Sequence, residues 1–215
     1  MTPTGKQKCR RNPRFCSLCE VLKSFMEEPD KTLTLNLTKT MVTALFKPEG
    51  IMPALVTPFT EDGKQVNEES LRNLVKNCIG LGANGLVPCG TTGEFVNLTT
   101  EEKKKVIDVV IDEANGKAKV VAGTGASGTG QALEMTRYAK DAGADAVLIV
   151  TPFYLKPADR GIYEHYDTIA SQVDIPIILY NIPQVTGVPL PWQMVEDLAQ
   201  IPNIVGVKDS SGQLA

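Results

Sequence analysis

Short, nearly continuous apolar runs recur along the chain, and their spacing constrains the fold more than any other feature. Six such runs occupy residues 51–56, 84–88, 119–123, 145–150, 176–180 and 203–208. Runs of this length and composition are typical of strands that are buried on both faces of a parallel sheet. The pattern therefore predicts six parallel strands.

The segments between these runs carry helical apolar spacing and helix start signals. Residues 67–82 begin with Asn67 as a candidate N-cap, and residues 99–116 begin with Thr99 or Thr100 as the cap. Five helices between six strands make a βα repeat.

The strands recur roughly every 26 to 34 residues, which is the length of a βαβ unit. This spacing leaves two architectures, an open doubly wound sheet or an eight-stranded βα barrel. A dinucleotide-binding sheet would carry Gly-x-Gly-x-x-Gly after its first strand, where the sequence has TPFTEDGK. The GTGASGTG segment after the third strand contains Gly-x-Gly, but the next strand does not end in the expected acidic residue. We therefore discount nucleotide binding, while both architectures remain open.

The first 47 residues differ from the rest of the chain. They are rich in Lys, Arg and Thr and have no sustained periodicity, so we predict a poorly ordered extension over 1–47 and one domain over 48–215. The extension holds Cys9, Cys16 and Cys19, but a second Cys pair is missing and the only histidine, His165, is distant in sequence. A zinc site is not expected there. Met41 is an alternative start to Met1.

Charge and hydropathy exclude several classes of function. The chain has 22 Lys and Arg against 25 Asp and Glu, without the basic excess that nucleic-acid binding requires. Its apolar runs are far shorter than the roughly 20 residues that span a bilayer. Neither a signal peptide nor a disulfide framework is recognisable, so we expect a cytoplasmic protein with no nucleic-acid or membrane partner.

Polar residues stand where four of the predicted strands end. The segments are CGTTGEF, TPFYLKP, YNIPQVTG and KDSSG, and they supply Thr91, Thr92, Tyr154, Tyr180 and Lys208. In a βα barrel the strand-to-helix loops converge at one mouth, so these side chains would share one rim.

Lys208 is the strongest candidate for chemistry, because it ends an apolar strand. An ammonium is costly in a dry site, whereas a neutral amine there can attack a carbonyl carbon and form a Schiff base. The alternative is a structural ion pair with Asp209 or Glu94. Position alone leaves both interpretations open.

Two further features have both a chemical and a structural interpretation. Tyr180 could move protons for the lysine, or it could be a core aromatic residue whose hydroxyl bonds the backbone. Gly90 to Gly93, the GTTG segment, could present backbone N–H groups to a carboxylate, or it could be only a tight turn.

From about Phe46 onward, the chain resembles the dihydrodipicolinate synthase and N-acetylneuraminate lyase family of Schiff-base class I aldolases. The resemblance rests on four motifs in the family order and spacing, namely GTTGE at 90–94, VTPFY at 150–154, YNIP at 180–183 and GVKDSSG at 206–212. It implies a TIM (β/α)8 barrel that requires no metal or organic cofactor.

The resemblance also implies a role for each candidate residue. Lys208 would form the imine with pyruvate or a related 2-oxo acid, and Tyr180 would transfer protons. Thr91 and Thr92, with Gly90 and Gly93, would bind the carboxylate of the 2-oxo acid. Thr91 and Tyr154 would complete a hydroxyl relay, with Tyr154 reaching across a dimer interface in the synthase branch. The partners would be a 2-oxo acid and an aldehyde, in a homotetramer.

One position departs from the synthase pattern. Dihydrodipicolinate synthases have an arginine two residues after YN-x-P, where it clamps the carboxylate of aspartate semialdehyde, and this chain has Val185. The aldolase branch commonly has an apolar residue there. We therefore favour a sugar-acid-type aldolase that releases or condenses pyruvate, with 4-hydroxy-tetrahydrodipicolinate synthase as the alternative.

The end of the sequence is the second departure. The family continues past this strand through two more βα units and a helical region, and six strands cannot close an eight-stranded barrel. Open edges would expose unpaired backbone groups. The sequence therefore predicts a barrel truncated after strand 6 that folds poorly alone, and a non-catalytic fragment is the interpretation from a different class.

Overall fold

A sheet of five parallel strands organises residues 46–213, the part of the chain that the computed structural model describes. The strands are β1 (Gly85–Leu86), β2 (Lys119–Gly123), β3 (Ala146–Val150), β4 (Ile177–Asn181) and β5 (Ile204–Asp209). They pair in the order of the chain, from β1 to β5. A doubly wound sheet reverses its order at a switch point, whereas a barrel wall does not. The order therefore selects the βα barrel. Cys9, Cys16 and Cys19, where no zinc site is expected, and the alternative start Met41 lie outside the described residues.

Helices alternate with these strands. They are α1 (Glu68–Gly80), α2 (Thr100–Ala114), α3 (Thr129–Ala142), α4 (Asp159–Gln172), the short α5 (Pro183–Thr186) and α6 (Trp192–Leu198). The two predicted caps are confirmed. The Asn67 side chain accepts the Ser70 N–H, and Thr99 and Glu102 form a reciprocal capping box. Within residues 46–213, none of the helices has the length and apolar character needed to span a membrane.

The first predicted strand, residues 51–56, is reduced to one parallel bridge between Ala54 and Val87. The Val87 N–H donates to Pro53 O, and the Leu55 N–H donates to Val87 O, each at 3.0 Å. Pro53 has no N–H to donate to Gly85 O, so the next bridge of the ladder cannot form. The expectation of six regular strands is therefore wrong by this one strand.

The core lies on both faces of the central strands. Every residue of β3 and β4 is buried, as predicted for strands covered on both sides. On the outer side, the Tyr166 hydroxyl of α4 donates to Ile149 O at 3.1 Å, which ties that helix to β3. The carboxyl ends of β4 and β5 are thus fixed side by side on a rigid support.

Candidate active site

Pairing between β4 and β5 brings two of the predicted site residues together. Tyr180 lies beside Lys208 in the ladder, and the Lys208 Nζ lies 4.2 Å from the centroid of the Tyr180 ring. A cation at this distance from an aromatic ring is within the range of a cation–π contact.

A bulge in β5 produces this pairing. Ile177 pairs with Ile204 but Ile178 pairs with Gly206, so Val205 is an extra residue in the ladder. If Val205 instead took a regular place in the ladder, Tyr180 would pair with Val207, and Lys208 would lie beside Asn181. The contact between lysine and tyrosine therefore depends on the bulge at Val205.

Lys208 faces the inner side of the sheet. It lines a cavity of about 370 Å³ together with apolar residues of five other segments, which include Ala54, Val87, Val121, Leu148 and Ile178. In a βα barrel, side chains at such strand positions point inward and fill the interior of the barrel.

The ion pair with Asp209 or Glu94, the alternative interpretation of Lys208, is not formed within residues 46–213. Asp209 instead accepts hydrogen bonds from Ser211 Oγ and Asn181 Nδ2, both at 2.7 Å. These two bonds, in that order of effect, lower the pKa of the Asp209 carboxyl. Glu94 accepts from Asn97 Nδ2 at 3.2 Å. Asp209 and Glu94 therefore bond to other side chains, and the Lys208 amine contacts the Tyr180 ring instead.

Tyr180 is buried, with 5% of its surface exposed. Burial acts to raise its pKa, but the nearby hydroxyl groups of Thr91 and Ser210, together with the positive charge of Lys208, outweigh this effect and lower the pKa below its usual value. Its phenol is therefore more acidic than that of an exposed tyrosine, which suits a group that gives and takes protons.

The GTTG segment forms a single 3-10 turn over Thr91–Gly93. Gly93 N–H donates to Gly90 O, and Glu94 N–H donates to Thr91 O, each at 3.0 Å. Within the described residues, the N–H groups of Thr91 and Thr92 have no acceptor. Two adjacent donors of this kind can bind a carboxylate.

Close packing explains the second glycine of this segment. A Cβ at Gly93 would lie 2.9 Å from Leu55 O, and the Gly93 carbonyl accepts a hydrogen bond from Thr57 Oγ1 at 2.8 Å. The turn is thereby held against the end of the first, irregular strand.

Tyr154 is placed differently from the other candidates. It is 92% exposed with φ at +76°, and its hydroxyl makes no hydrogen bond to any residue between 46 and 213. A cavity of about 510 Å³ connects it with Thr91. The cavity is lined by Thr91, Phe95, Val96, Ser127, Val150, Phe153, Tyr154, Ile182, Val185 and Thr186. Thr91 thus borders both Tyr180 and this cavity, whereas Tyr154 does not contact Tyr180 within the described chain.

Sequence reasoning missed Asn181, which follows Tyr180. Its side chain is 8% exposed, donates to Asp209 Oδ1 at 2.7 Å and accepts the Leu190 N–H at 3.0 Å. A signal was available, because an amide at the end of a fully apolar strand needs buried partners.

Comparisons with a family model, with curated proteins and with solved structures all find the same family. The model of the dihydrodipicolinate synthetase family matches residues 47–215. A 4-hydroxy-tetrahydrodipicolinate synthase of Methanopyrus kandleri is 49% identical over 170 residues, which are 79% of this chain and 57% of that protein. The chain thus spans a little over half the length of this curated relative.

Two solved structures illustrate the structural likeness. The dihydrodipicolinate synthase from Acinetobacter baumannii, complexed with pyruvate, is 48% identical with a TM-score of 0.76, over 78% of this chain and 57% of that one. The prophage protein YagE from E. coli K12, also in complex with pyruvate, is 34% identical with a TM-score of 0.75. This match covers 79% of this chain and 56% of YagE. The names of the curated relatives favour the synthase interpretation over the sugar-acid aldolase that Val185 suggested.

Proposed function

This chain belongs to the dihydrodipicolinate synthetase family, and from that membership we propose that it condenses pyruvate with an aldehyde through a Schiff base on Lys208. The observation that carries the proposal is the contact between the Lys208 amine and the ring of Tyr180, whose phenol has a lowered pKa. The finer assignment, 4-hydroxy-tetrahydrodipicolinate synthase, is supported by the names of the curated relatives.

Imine formation uses the lysine and the tyrosine together. The Tyr180 phenolate takes a proton from the Lys208 ammonium, and the resulting neutral amine attacks the ketone carbon of pyruvate. The extra proton on the attacking nitrogen passes to the ketone oxygen, which gives a carbinolamine. Tyr180 delivers a proton to the departing hydroxyl, which leaves as water, and the carbon–nitrogen double bond forms. Thr91, which lines the cavity, relays protons between the phenol and the cavity.

Carbon–carbon bond formation follows from the imine. The Tyr180 phenolate left by dehydration removes a proton from the pyruvate methyl group, which gives an enamine. The terminal carbon of the enamine attacks the aldehyde carbon, and the phenol returns the proton to the new alkoxide oxygen. The imine itself accepts the electron pair, so the step requires no metal or organic cofactor. The free N–H groups of Thr91 and Thr92 hold the pyruvate carboxylate during these steps.

Tyr154 has a different proposed role, in an oligomer. Its exposure and its left-handed backbone leave the hydroxyl free to reach a neighbouring subunit. We propose that it completes the hydroxyl relay in the site of a second copy, within the homotetramer that the resemblance implies.

Borohydride trapping tests the proposal. The 215-residue chain is incubated with pyruvate and sodium borohydride, and peptide mass spectrometry locates the reduced adduct. We expect it on Lys208, with loss of the adduct in Lys208→Arg and retention in Lys117→Ala, since Lys117 is exposed beyond the amino end of β2. A chain that gains no mass on Lys208 would falsify the Schiff-base chemistry.

A second candidate function rests on Val185. This side chain is 62% exposed in the cavity beside Thr91, and the lining contains no charged residue that could clamp a carboxylate. An aldolase that takes an uncharged aldehyde would suit this lining.

Val185→Arg separates the two candidates. If the chain is such an aldolase, wild type prefers an uncharged aldehyde, and the arginine raises kcat/KM for aspartate semialdehyde by about tenfold or more. Val185→Leu, the matched apolar control, should leave the preference unchanged. Efficient use of aspartate semialdehyde by the wild type would support the synthase and reject the second candidate.

A further inference from the structure

The two strands that carry Lys208 and Tyr180 are joined by a side-chain hydrogen bond just beyond these residues. Asn181 follows Tyr180, Asp209 follows Lys208, and the two face each other as the last pair of the β4–β5 ladder. The Asn181 Nδ2 donates to Asp209 Oδ1 at 2.7 Å. We call Asn181 and Asp209 the exit pair.

The exit pair is anchored on both sides. Asn181 Oδ1 accepts the Leu190 N–H at 3.0 Å, so both ends of the buried amide are satisfied. The Asn181 carbonyl accepts the Ser210 N–H at 2.8 Å, and Ser210 O accepts from Gln184 Nε2 at 2.6 Å. The segment after β5 is therefore fixed to the segment after β4.

This anchoring also places a group on the phenol. Ser210, whose backbone is held by Asn181 and Gln184, lies near the Tyr180 phenol, and its side chain helps to lower the pKa of that phenol. The exit pair therefore adjoins both the lysine–tyrosine contact and the serine beside the phenol.

We propose that Asn181 is a positioning residue, which holds the Lys208 amine against Tyr180 through its bond to Asp209 and so keeps the segment with Ser210 beside the phenol. This inference rests on the proposed function for its catalytic consequence, although the geometry is independent of it. Asn181 touches no reacting atom in this scheme and acts only through its neighbours.

A charge swap tests the proposal. Asn181→Asp sets two carboxylates against each other at hydrogen-bond distance, which breaks the bond. The double variant Asn181→Asp with Asp209→Asn restores a donor opposite an acceptor, and the new carboxylate still accepts the Leu190 N–H. Asn73→Asp, the same change at an exposed position of α1, controls for added charge.

The main readout is the rate and pH profile of borohydride trapping at Lys208. We expect Asn181→Asp to slow trapping by about tenfold or more, and to move the alkaline limb of the profile toward that of an ordinary tyrosine. The swap should recover most of the rate, and Asn73→Asp should match wild type. A purely structural role would lower the free energy of unfolding without moving the pH profile, and that outcome would overturn the proposal.

A second readout separates this inference from the proposed function. NMR titration of ring-labelled tyrosine follows the Tyr180 phenol without any substrate. A wild type that forms no adduct rejects the Schiff-base chemistry, but a raised Tyr180 midpoint in Asn181→Asp, reversed by the swap, still supports the positioning role. An unchanged midpoint rejects it.

Discussion

At the scale of single residues, the site depends on how one tyrosine is made acidic. Burial alone opposes ionisation of Tyr180, and two hydroxyl partners with one cation reverse that effect. Removal of the Tyr180 phenolic oxygen should therefore slow the reaction at Lys208 far more than removal of the phenolic oxygen of an exposed tyrosine.

Tyr180→Phe tests this directly. We expect trapping of pyruvate at Lys208 to slow by about a hundredfold, because the proton-transfer group is lost while the amine remains. In the wild type the rate should rise with pH and level off below the usual tyrosine pKa of about 10, and this titration should vanish in the variant. Tyr163→Phe, on the outer face of α4, is the control. Equal rates in the two variants would contradict the role of Tyr180.

His165 gives a second prediction at this scale. Burial lowers the pKa of its imidazole to about 4, from a usual value of 6.5. The unfolded chain therefore takes up a proton before the folded one does. Stability is complete above pH 6.5 and falls as the pH decreases from 6.5 toward 4, by about 3 kcal/mol in total.

Urea unfolding at several pH values measures this loss. His165→Phe should flatten the profile between pH 6.5 and 5, although the variant loses the hydrogen bond between Nδ1 and Thr129 Oγ1. A wild-type profile that is equally flat would show that the imidazole is not buried in the neutral form.

At the scale of elements, helix starts are set by local side-chain bonds. The α2 capping box has Thr99 Oγ1 accepting the Glu102 N–H at 3.2 Å, and the Glu102 carboxylate accepting the Thr99 N–H at 2.8 Å. Thr99→Ala should destabilise the chain by about 1 kcal/mol, measured by urea unfolding. Thr100→Ala, one residue inside the helix, should change stability little or raise it. Equal effects would show that the box contributes nothing.

Features of this local kind are what the sequence predicts well. The caps at Asn67 and Thr99 depend on neighbours within three residues, and the central strands are visible because both of their faces are buried. The pairing partners of a strand are not encoded locally. The bulge at Val205 and the bond between Asn181 and Asp209 join segments more than 20 residues apart. The sequence therefore predicts which residues stand at the strand ends, but it does not predict the pairing that sets Lys208 against the Tyr180 ring.

At the scale of the described domain, close backbone approach links neighbouring units. Gly123 ends β2, and a Cβ there would clash with the carbonyl oxygen of Cys89, just before the GTTG turn. Gly123→Ala should cost about 3 kcal/mol, because both partners are backbone and neither can move freely. Gly130→Ala in α3 meets open space and should be neutral or slightly stabilising. Thermal unfolding of the two variants provides the measurement, and similar midpoints would contradict the packing described here.

The extra residue in β5 also bears on how such chains can vary in length during evolution. Loops on the rim can gain or lose residues without changing which side chains face inward. An insertion of one residue between Gly206 and Val207 would instead set Val207 beside Tyr180 and turn the Lys208 amine toward the helices, whereas a deletion of Val205 would remove the bulge and keep Lys208 beside Tyr180. Insertions should therefore be tolerated around this short strand and strongly selected against between its bulge and Lys208.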